Sequence, residues 1–148
     1  SNSFCSGEKS PAEIASMSAG LSALRPSEMG QLVEVDAGIS GECRQSLFRD
    51  HADDTLVVRT GRAITGIYCP KLGDGFVAAL DAASGTQLLA CHALNATRIS
   101  FPEANADGLA YLLDAGFTQA RRTTRMVLGP PFSWRPDCIY SRIGGNLG

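Results

Sequence analysis

Phe76-Val77-Ala78-Ala79-Leu80 is an unbroken apolar run, set between a glycine turn, Gly73-Asp74-Gly75, and a helix-forming stretch from about Ala83 to Leu94. A strand that is apolar on both faces needs cover on both, so it belongs in the middle of a sheet with layers above and below. The surrounding segments supply those layers. Upstream lies a hairpin, Thr55 to Thr60 and Ala63 to Cys69 around a turn at Gly61-Arg62. Downstream come a strand from Thr97 to Phe101, with Ile99 and Phe101 inward, and a helix from about Asn105 to Ala115. That helix buries Leu109, Leu112 and Leu113 and stops at Gly116. A short strand at Phe117 and a longer one from Thr123 to Leu128 follow, and the tail after Gly129 carries Pro130, Pro131 and Pro136 and reads as extended chain over the surface.

The first part of the chain is less patterned. Ser1 to Gly20 is rich in Ser, Gly and Ala and reads as a linker, with a helical turn near Ala12 to Met17 and a tag-like start at Ser1-Asn2-Ser3. Residues 21–148 form one domain. Leu21 to Arg25 is a short strand closed by Pro26. Ser27 caps a helix carrying Met29, Leu32, Val33 and Val35, with Gly38 as its stop, and a second helix spans Glu42 to His51 with Leu47 and Phe48 as anchors. The order is β-α-α-β-β-β-α-β-α-β-β. Hairpin-joined strands are antiparallel, whereas Phe76–Leu80 and Thr97–Phe101, joined through a helix, are expected to be parallel. The fold class is α/β (α+β): a mixed, mostly antiparallel sheet of six to seven strands with helices on both faces.

Composition narrows the function. Thirteen Lys and Arg against 15 Asp and Glu, with no more than two basic residues adjacent, leave no footprint for a phosphate backbone, so nucleic acid is not an expected partner. Apolar runs fall far short of the ~20 residues of a membrane span, and the start lacks a basic and apolar leader. The five cysteines are odd in number and scattered, which suits reduced thiols in the cytoplasm. Histidine occurs only at His51 and His92. Pairing His92 with Cys91 would put two ligands about 100° apart on a helix, so no metal site is expected.

The element order, together with Thr65-Gly66-Ile67 and the stretch from Pro102-Glu103-Ala104-Asn105 to Leu113-Asp114-Ala115-Gly116-Phe117, resembles the GNAT superfamily of acetyl-coenzyme-A-dependent N-acetyltransferases. Asp36 with Gly41 and Arg44, Thr124 to Gly129, Ile139-Tyr140 and Leu147-Gly148 further resemble the C-terminal GNAT-like domain of two-domain members. The resemblance implies acetyl-CoA as co-substrate, a small-molecule or amine acceptor, and either an N-terminal GNAT domain or a second copy as partner. The alternative is a non-catalytic GNAT-like module that binds acceptor or packs on a catalytic domain.

The resemblance also assigns candidate residues. Val77, Ala78 and Ala79 would offer backbone groups to the pantetheine arm, Gly85 and Thr86 would form what remains of a phosphate nest, and Asn105 would bond the coenzyme or cap its helix. Glu103 and Asp81 are the carboxylates that could take a proton from the amine, and Tyr111 is the candidate acid. Arg44, Arg125 and Trp134 would meet the acceptor. Two departures from the family pattern stand out. Leu80-Asp81-Ala82-Ala83-Ser84-Gly85 lacks the polar first residue and middle glycine of the pyrophosphate loop, and Asp81 adds negative charge there. The position seven residues after Asn105 is Leu112, with Tyr111 one residue early and so turned about 100° away.

Overall fold

The computed structural model describes the backbone of residues 2–5 and residues 21–94, 96, 98–122 and 133–143, the side chains of 2–5 and 120–122 excepted. In chain order these form β1 (Asn2–Cys5), β2 (Ser22–Ala23), α1 (Met29–Ser40), α2 (Gln45–Asp50), β3 (Leu56–Thr60), β4 (Ala63–Cys69), β5 (Phe76–Ala79), α3 (Ala82–Ala93), β6 (Arg98–Phe101), α4 (Ala106–Asp114), β7 (Thr118–Arg122) and β8 (Ile139–Ser141). Short 3-10 turns at Pro26–Glu28, Ala52–Asp54 and Pro136–Cys138 lead into α1, β3 and β8.

The alternation of β5 organises the core. Phe76 and Ala78 face the side covered by Leu32 and Ile39 of α1 and Phe48 of α2. Val77 and Ala79 face the side covered by Leu88 and Leu89 of α3 and Leu112 of α4. All four strand residues are at most 1% exposed, as a strand apolar on both faces requires. Each fully buried Leu, Ile or Phe contributes roughly 1.5–3 kcal/mol. The mixed class with helices on both faces is therefore borne out.

The strands divide differently from the expectation. They form a five-stranded sheet ordered β2-β3-β4-β5-β8 and a three-stranded sheet ordered β6-β1-β7. Asn2–Cys5, within the stretch read as linker, pairs antiparallel with both β6 and β7. β5 and β6 do not pair as parallel neighbours, because β8 comes between them. Val77 stands opposite Ser141 and Ala78 opposite Ile139 with an irregularity between, and the Arg142 amide donates to the Ser100 carbonyl at 2.8 Å. Within the described part of the tail, residues 138–143 are thus part of the core rather than a surface wrap: Ile139, Tyr140, Ser141 and Ile143 are each 4% exposed or less. α1 also runs through exposed Gly38, a cost of only about 1 kcal/mol, and stops at Gly41, whose φ of 78° is the left-handed ending that glycine permits. The expected helical turn at Ala12–Met17 and strand at Thr123–Leu128 lie outside the described residues.

Candidate functional site

β5 and β6 end at the same end of the molecule, the end where β8 begins, and most of the candidate residues gather there. Asp81 leaves β5 in an extended conformation (φ −136°, ψ 159°) and caps α3. Its Oδ1 accepts from the Ser84 amide at 2.7 Å, and its carbonyl accepts from the Gly85 amide at 3.0 Å. A carboxylate here satisfies amides that the first helical turn leaves open and complements the helix dipole. A diphosphate at this turn would need the same amides and would meet a like charge.

The rest of the turn is equally engaged. Thr86 Oγ1 donates back to the Ala82 carbonyl at 2.7 Å, and Ser84 Oγ lies 2.8 Å from Thr65 Oγ1. Gly85 is covered by the ring of Tyr140, against which any side chain at position 85 would collide. Close approach explains this glycine, and the approaching group is the chain's own tyrosine. Burial foremost, followed by Asp107, pushes the Tyr140 phenol up to about 12, so it keeps its proton throughout the neutral range.

Asn105 joins β8 to α4. Its Oδ1 accepts from the Gly108 amide at 2.9 Å and its Nδ2 donates to the Ile139 carbonyl at 2.7 Å, with the residue 1% exposed. Between its two reading options, capping is the one observed. Val77, Ala78 and Ala79 lie in a strand flanked by β4 on one side and β8 on the other, so backbone positions assigned to a pantetheine arm carry a protein strand beside them. Val77, Ala78, Gly85 and Asn105 each meet Ile139–Ser141 and Ala79 packs in the same cluster as Tyr140, whereas Thr86 bonds only its own helix turn.

The proposed acid and base groups sit on three different segments. Asp81 caps α3, Glu103 is exposed in the connection from β6 to α4, and Tyr111 is half-buried against the α3/α4 core beside fully buried Leu112. Arg44 lies on the other face of the sheet. Its Nε and Nη2 grip Asp36 Oδ2 and Oδ1 at 3.0 and 2.5 Å, and its guanidinium stands 5.1 Å from the Phe76 ring centroid. The structure thus places Arg44 in a bidentate buried pair with Asp36. Trp134 is half-buried against the α1/α2 core, where the next residue's amide bonds the Ile39 carbonyl at 2.6 Å. Arg125 lies outside the described residues. Tyr140, named from the sequence within Ile139-Tyr140 as part of the resemblance, is the residue whose ring covers Gly85 at this end. Only the run Cys138-Ile139-Tyr140-Ser141 hinted at it, and three strand residues are too few to show a period.

His92 meets Tyr68 rather than a metal partner: its Nδ1 lies 3.2 Å from Tyr68 Oη. Among the described residues no group of three or more His, Cys, Asp or Glu could hold a metal ion, and no helix is long and apolar enough to cross a membrane.

No family model and no curated protein matches the chain. Among solved structures it is similar to a Pyrococcus horikoshii protein described as "A Putative Acetyltransferase", with a TM-score of 0.74 at 18% identity over 99% of this chain. The chain spans about half, 51%, of that protein's length. The likeness at this identity is one of fold: the chain has a GNAT-like mixed α/β architecture.

Proposed function

We propose that this chain is a GNAT-like module of a larger acetyltransferase, and that the module itself holds no coenzyme. The observation that carries this reading is the occupant of the cleft between β5 and β6: β8 fills it, while Asp81 and Tyr140 close the first turn of α3. Acyl transfer from acetyl-CoA to an amine is then the work of the whole protein. The share of 51% of the similar protein's length leaves room for a catalytic GNAT domain on which this module packs. A cytoplasmic setting suits the thiols Cys43, Cys69 and Cys138, which form no disulfide among the described residues.

A thermal-shift titration with acetyl-CoA tests the reading. A ligand that binds the native state at 100 times its dissociation constant adds about 2.7 kcal/mol and raises the midpoint by several degrees. We expect no shift at millimolar acetyl-CoA. A saturable rise would overturn the reading and restore an autonomous acyltransferase.

A further inference from the structure

His92 is 4% exposed, and its Nε2 has no hydrogen-bond partner among the described residues. Such a group is costly to leave unsatisfied in a core. Its ring lies against Gly75, where a side chain would collide with it. Gly75 has φ 103°, so the turn holds a conformation that only glycine adopts readily, shaped around the imidazole. The same turn grips the end of the chain. Ser141 Oγ donates to the Gly75 carbonyl at 2.7 Å, the Asp74 amide donates to the Ile143 carbonyl at 3.0 Å, and Gly73 abuts Ile143.

We propose that His92 and the Gly73–Gly75 turn form a pH-sensitive latch on Ser141–Ile143, closed while the imidazole is neutral and released when it is protonated. The reading goes beyond the module's proposed role and does not depend on whether the module binds coenzyme.

The charged and titratable groups around the ring set the direction. Burial lowers His92 to about 4, and Asp74, the carboxylate on the turn, is the group that draws it back up. From β4, Tyr68 Oη faces Nδ1; burial pushes that phenol up to about 12, so it stays neutral. Cys91 precedes His92 on α3 and is buried. A second proton on the ring gives Nε2 a donor without an acceptor in its closed position. The carboxylate that favours the charged ring is that of exposed Asp74. Movement of the imidazolium towards it displaces the Gly75 backbone, and with it the contacts to Ser141 and Ile143. In the opened state the ring regains its ordinary value near 6.5, so opening takes up a proton and is favoured as pH falls below that value.

Amide hydrogen exchange followed by NMR from pH 7 to pH 4.5, expressed as protection factors, tests the latch. The reporters are the Arg142 amide, bonded to Ser100, and the Asp74 amide, bonded to Ile143; the amides of the β3–β4 pairing are the reference. Two pH units below 6.5 predict roughly a hundredfold loss of protection at the reporters, with the reference amides holding theirs. His92→Gln should flatten the dependence. Protection that is independent of pH, reference amides lost in step with the reporters, or a dependence retained in full by the His92→Gln chain would each overturn the proposal.

Discussion

Arg44 and Asp36 show how a residue singled out for its charge finds a partner within its own chain. A planar guanidinium suits a carboxylate, and the carboxylate it meets belongs to α1 eight residues earlier in the chain. Both side chains are 9% exposed or less, so each charge relies on the other for the solvation it has lost. Asp36→Ala should destabilise the protein by about 3–5 kcal/mol, whereas replacing both partners with apolar residues of similar volume should cost far less. Urea denaturation midpoints of the two variants check this, and equal losses would show that the pair is not the source of the effect. Asn105 was legible as a cap because a cap and its amide lie three residues apart, whereas Asp81, read as a base or a loop charge, also caps a helix. The second bond of Asn105, to Ile139 across 34 positions, was not legible. No local pattern encodes a contact of that separation.

Elements were readable where their information is local. The hairpin β3–β4 and the helices α3 and α4 fall within a residue or two of the sequence expectation, since turn glycines and helical periodicity act over short distances. β2 was read as five residues and is two. Its place depends on a network instead: Arg59 of β3 bonds Glu28 Oε2 and Oε1 at 2.7 and 2.5 Å and the Ala23 carbonyl at 3.0 Å, and also reaches Ser22 Oγ. The hydrogen bond from Arg59, foremost, holds the Glu28 carboxyl down to about 2, below its ordinary 4.5. A depressed carboxylate contributes stability that is present above the unfolded value and lost as pH falls towards the folded one. Glu28→Gln should therefore lose about 1 kcal/mol at neutral pH, the upper range for a pair near the surface, and the difference from the unaltered chain should shrink between pH 4.5 and 2. Denaturation midpoints measured across that window test the sign. A gap that widens in acid would refute it.

At the scale of the molecule, the mixed class was legible because an apolar run such as Phe76–Leu80 demands two covering layers wherever it occurs. The filling of the β5–β6 cleft was not, because it is made by a three-residue strand some sixty positions downstream of β5. Whether β8 is a plug or a structural member decides how far the acyltransferase resemblance extends to this module. A plug could be removed to leave a folded domain with an open coenzyme site. A structural member could not. Ile139, Tyr140 and Ile143 are buried against both helical layers, and at roughly 1.5–3 kcal/mol each they account for a large part of the 5–15 kcal/mol that typically separates folded from unfolded chains. Their loss would also leave β5 as a bare apolar edge, a template for association. A chain ending at Pro136 is accordingly expected to aggregate or to lack a cooperative unfolding transition, with no gain of acetyl-CoA binding. A soluble, cooperatively folding truncation that gained affinity for acetyl-CoA would make β8 a removable occupant and the domain a catalytic one held closed by its own end.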